Sequence, residues 1–129
     1  MERRGGIVRW TRIGFVVSAL LFAVGVVVQV FLAGMSVFDP PGRWADHVSI
    51  GQQIGTLTIL LVIFAIVGRL SKLTIGMSVA IFFLYGLQFA FANADAGAVA
   101  AFHAVNALAL FWLTIQVAQQ ARPLAFPAR

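Results

Sequence analysis

His47 and His103 are the two histidines of the chain, and they recur in one pattern. An aspartate stands eight positions before each, Asp39 and Asp95, and a Leu-Thr-Ile run begins ten positions after each, at Leu57 and Leu113. On a helix, positions four and eleven after each histidine share its face. These are Gly51 and Thr58 for His47, and Ala107 and Thr114 for His103. The small residue one turn on leaves room for a flat ligand, and the threonine can bond back to its own helix carbonyls. Two imidazoles converging from two helices of a bundle are the axial ligand set of a six-coordinate haem b, with the iron between His47 and His103. Gln29 and Gln88, at similar depth on the intervening runs, are placed to accept the imidazole N–H and fix the rings. Arg43, one turn before His47, is placed to meet a haem propionate at the surface. Asn106 suits either a helix–helix hydrogen bond or a cofactor contact. The same pair would also suit a quinone, a metal ion or a structural hydrogen-bond role, although two histidines fall short of the four ligands zinc takes.

The elements that must position these residues are spans of a membrane. Of the 129 residues, 61% are hydrophobic and 10% charged, far from the composition of a soluble domain. Charge-free runs occur at Ile13–Gly34, Val48–Gly68, Leu73–Ala94 and Ala96–Ala121, each long enough to cross a hydrocarbon layer of roughly 30 Å as a helix. The expected fold is all-α, an integral membrane four-helix bundle forming one domain over 1–129, with helices near 11–35, 41–68, 72–93 and 96–120. A signal peptide is the competing reading of the first run, since arginines precede it. The run exceeds a typical h-region and no A-x-A site follows, so a retained helix is expected.

Basic residues set the orientation. Arg3, Arg4, Arg9, Arg12, Arg69, Lys72, Arg122 and Arg129 share one side if there are four spans, leaving Arg43 alone on the other with Asp39, Asp46 and Asp95. Both termini are therefore expected in the cytoplasm, and the high pI reports topology and anionic lipid rather than nucleic acid. The absence of cysteine excludes disulfides, thiolate metal sites and covalent c-type haem attachment.

The matched spacings, with "VQVFLAG" at 28–34 set against "LQFAFAN" at 87–93, predict two related helical hairpins in the same orientation. Asp39 followed by Pro40 and Pro41 reads as a helix cap and first turn, and Asp95 as the cap of the last helix. Each histidine then falls about two turns inside its helix, with Trp44 at the outer interface. Gly51 and Gly55 form a small-xxx-small motif suited to close packing, and Gln52 and Gln53, unusual in a span, call for at least one bond to another helix.

No nucleophile with its base, carboxylate pair, phosphate loop or charged pathway is present. An electron-transfer or accessory protein is expected rather than a self-sufficient enzyme or transporter. Through Trp44-Ala45-Asp46-His47 with Gly51, and His103-Ala104-Val105-Asn106, the chain resembles a family of small four-span bacterial membrane proteins of unassigned function. That resemblance implies architecture and a bacterial plasma membrane setting. The chain is also similar to membrane b-type cytochromes that hold haem between histidines on two spans of a four-helix core. Those usually carry two histidine pairs, and one pair confines a redox role to the outer leaflet, with a quinol, a periplasmic redox protein or oxygen species. The alternative is a non-catalytic subunit of a larger membrane complex.

Overall fold

The computed structural model describes residues 2–39 and 42–127. Four helices account for nearly all of them: α1 (Glu2–Phe38), α2 (Trp44–Val67), α3 (Lys72–Ala92) and α4 (Gly97–Ala125), with no strand among the described residues. Each is long and apolar enough to cross a membrane. In lipid a helix satisfies its own backbone, which is why apolar runs of this length take no other form.

The helices form a closed ring in which each packs on its two sequence neighbours and α4 returns to α1. The diagonals, α1 with α3 and α2 with α4, do not meet at the backbone. Side chains fill the centre. Phe15, Phe22, Leu61, Ile81, Leu110 and Val117 are fully buried, and Phe22 meets Tyr85 across the α1–α3 diagonal, ring centroids 5.6 Å apart at 70°. Alanines at 19, 65, 118, 121 and 125 are buried among them. Lipid tails are as apolar as leucine, so small residues that bring backbones close hold such a bundle together. The end of the bundle that carries the chain termini is fastened by Arg12 Nε donating to Gly68 O at 2.8 Å and Thr74 Oγ1 donating to Gln120 Oε1 at 2.8 Å.

Several boundaries differ from the sequence expectation. α1 begins at Glu2 rather than 11 and runs on through Phe38, with the Asp39 N–H still bonded to Met35 O at 3.0 Å. Asp39 therefore ends α1 instead of capping α2. The turn closes at Gly42, φ +66°, where a side chain would strike the Ser36 backbone. α2 starts at Trp44, not 41, and Arg43 occupies its N-cap position without a side-chain cap bond. Pro40 and Pro41 lie outside the described residues. Ala96 occupies the cap position of α4, also without a side-chain bond, so Asp95 is not the cap either. Among the described caps only that of α3 has a side chain of the expected kind, Ser71 Oγ accepting from Thr74 N at 3.1 Å. α4 continues to Ala125 rather than 120, carrying Pro123 in its last turns.

Candidate functional site

The later start of α2, at Trp44, places His47 in the first turn of its helix, not two turns inside. His103 lies six residues into α4. The two rings nonetheless meet across the α2–α4 diagonal, centroids 6.1 Å apart and planes at 61°. Each is held by the same kind of bond: His47 Nδ1 to the backbone carbonyl of Gln29 on α1, and His103 Nδ1 to that of Gln88 on α3, both at 3.0 Å. A carbonyl can only accept, so Nδ1 is the nitrogen that donates in each ring. In the neutral form of such a ring the lone pair is on Nε2. No hydrogen bond joins the two rings to each other among the described residues.

The glutamines were expected to take the imidazole N–H through their side chains; the structure uses their backbone instead. Their side chains make a second layer of contacts. Gln88 Oε1 accepts from Asn106 Nδ2 at 2.6 Å, and the same amide donates to Leu84 O at 2.8 Å, so Asn106 is a helix–helix link between α4 and α3. On the other half, Gln29 Nε2 is buried with no hydrogen-bond partner among the described residues. The difference is readable in the repeat. Asn106 stands three residues after His103, and the matching position after His47 is Ile50, which has no donor or acceptor to offer.

Gly51 does not leave an empty slot. A Cβ there would lie 3.3 Å from Gln29 Oε1, and the Tyr85 hydroxyl donates to Gly51 O from the α3 side. Gly55 is closer still to Tyr85, 2.6 Å from where its Cβ would be. The Gly51–Gly55 motif is thus spent on packing inside the chain. Ala107 lines an apolar groove of about 400 Å³ between α1 and α4, with Val26, Val30 and Phe111. Arg43 forms an exposed ion pair with Asp46, Nη1 to Oδ2 3.1 Å. Among the described residues no group of three or more His, Cys, Asp or Glu gathers anywhere, so the donor set at the pair is two imidazoles.

Two contacts at the site are not read from sequence, which places Trp44 at the outer interface and gives Tyr85 no part. Trp44 stacks on the His47 ring, centroids 5.0 Å apart at 21°. Its place three residues before His47, on the same face, was the available signal. Tyr85 is the single tyrosine of the chain, and a lone phenol in an apolar span must find an acceptor. Thr58 and Thr114 behave as their spacing implied, both buried and donating back to Gly55 O and Leu110 O at 2.7 Å.

The model of a family of unknown function, DUF6220, matches residues 29–96. The matched stretch covers more than half of the chain and takes in Gln29, His47, Gly51 and Gln88, stopping before α4 and His103. No curated protein and no solved structure matches the chain. The chain belongs to the DUF6220 family.

Proposed function

We propose that this DUF6220 member is a small multi-pass b-type cytochrome of the bacterial plasma membrane, holding one haem b between His47 and His103 near the outer leaflet. The observation that carries the reading is the pair of matched Nδ1–H···O=C bonds on diagonally opposed helices. They fix both rings in the tautomer that keeps Nε2 available, and a hydrogen bond of this kind raises the basicity of a metal-ligating imidazole. The 6.1 Å between ring centroids is close to what two metal–nitrogen bonds of about 2 Å and the two ring radii span. The space beside Gly51 is held by the Gln29 amide, whose Nε2 has no hydrogen bond to lose when it turns aside.

When bound, haem b supplies one-electron redox chemistry. The chain's own part is to ligate through His47 and His103, to cover His47 with Trp44, and to close the floor of the site with Phe22 and Tyr85. One histidine pair serves a single leaflet, so the electron partner is a quinol or a periplasmic redox protein on that side.

A second reading has its own observation. Every described hydrogen bond of the histidine layer joins neighbouring helices: His47 to α1, His103 and Asn106 to α3. Such a layer also suits a non-catalytic accessory subunit of a larger membrane complex, clamped at one end. A reduced-minus-oxidised visible spectrum of protein purified from haem-replete cells, with pyridine haemochrome quantitation, separates the two. The cytochrome reading expects a sharp α band, near one haem per chain, lost in both His47→Ala and His103→Ala. Protein that stays colourless after haem addition overturns it and leaves the clamp.

A further inference from the structure

The sequence asked for Gln52 or Gln53 to bond another helix, and among the described residues neither does. Both are exposed, and so are Ser49 and Thr56. The four fall at i, i+3, i+4 and i+7, one stripe on the back of α2, opposite the face that carries His47, Thr58 and Leu61 inward. The one side-chain bond of the stripe, Gln53 Nε2 to Ser49 Oγ at 3.2 Å, stays on α2. At 1.5 Å per residue the glutamines sit about 12–14 Å along the helix from Trp44, well within the hydrocarbon layer. Lipid tails offer these amides neither donor nor acceptor, and polar side chains at this depth act as glue between helices.

We propose that this stripe is the contact surface of a homodimer, with α2 of one copy packed against α2 of a second. The chemistry favours a second copy over a different partner. A carboxamide carries both donor and acceptor, so a twofold axis that lays the stripe on itself pairs the glutamines with their own kind. The stripe holds no charge that would ask for an opposite one elsewhere. Ala45 and Ser49 are small enough at its outer end to let the two helices approach. Because the histidine face points the other way, dimerisation leaves the His47–His103 layer as it is.

The chain has no cysteine, so one introduced thiol reports its own neighbourhood. Gln53→Cys in native membranes, treated with a mild oxidant, is expected to give a disulfide-linked dimer, whereas Leu108→Cys, exposed on α4, gives none. In lipid nanodiscs, single-molecule photobleaching should count two copies of the unmodified chain, and Gln52→Leu/Gln53→Leu should lower the dimer fraction at least tenfold with helical content unchanged. A single copy per disc for the unmodified chain, an undiminished dimer for the double variant, or equal crosslinking at 108 overturns the proposal.

Discussion

Asn106 and Ile50 occupy matching places, each three residues after its histidine, yet only Asn106 has an amide to work with. Replacing it by leucine leaves Gln88 Oε1 without its donor and removes the bond to Leu84 O. An acceptor stranded in this way costs about 1–3 kcal/mol, so Asn106→Leu should lower the unfolding temperature in detergent by several degrees. The reverse repair is more telling. Ile50→Asn places an acceptor near the unbonded Gln29 Nε2 and should gain about 0.5–1 kcal/mol, the usual net return of one buried hydrogen bond. If Ile50→Asn destabilises the chain as much as Asn106→Leu does, the two halves are not equivalent at this layer. The sequence made the histidines, both glutamines and Asn106 legible, because ionisable and amide groups in an apolar run must find partners. It did not show which atom of each glutamine would serve. A backbone carbonyl has no residue type, and its use as acceptor depends on how deep the neighbouring helix sits.

At the level of the helices, existence and number followed from apolar run length alone, and the ends did not. Asp39 looked like a cap because Pro40 and Pro41 follow it; α1 ran up to it, through Phe38, because residues 35–38 hold nothing that stops a helix and the turn could close at Gly42. Glycines inside the helices divide by what faces them. A Cβ at Gly55 would lie 2.6 Å from the Tyr85 ring, while at Gly76 and Gly86 it meets nothing within 4 Å. Gly55→Ala must displace the Tyr85 ring, and overpacking of this kind costs about 1–3 kcal/mol. Gly51→Ala, facing a side-chain oxygen at 3.3 Å, should be milder because the Gln29 amide can turn. Gly86→Ala should be neutral or stabilising by up to about 1 kcal/mol, since alanine is the better helix former. Chemical or thermal unfolding of the three variants in one detergent checks the order. Gly55→Ala proving harmless would show that Tyr85 is not wedged between α2 and α3. It would also remove the floor assigned to the histidine layer.

Across the whole molecule, charge and polarity are separated by end. Arg9, Arg12, Arg69, Lys72 and Arg122 lie toward the end where the termini and the α2–α3 turn meet, with Arg12 joined to Gly68 O. Asp39, Asp46, Asp95 and the histidine layer lie toward the other. Cytoplasmic loops carry the excess of lysine and arginine, so the basic end should face inward and the histidines outward. The sequence carried this asymmetry openly. It could not supply the meeting of His47 with His103, which depends on helix rotation and on the ring order of the four helices. Because the chain lacks cysteine, single-cysteine variants can read the orientation directly. Asp39→Cys and Asp95→Cys should react with a membrane-impermeant maleimide in intact cells, and Ser71→Cys only after the membrane is permeabilised. The opposite labelling would turn the histidine layer toward the cytoplasm. On the proposed cytochrome reading, the electron partner would then have to be sought among cytoplasmic proteins, with the quinol pool still reachable from that leaflet. The orientation of the bundle therefore decides which class of partner the His47–His103 pair can meet, independently of what the pair binds.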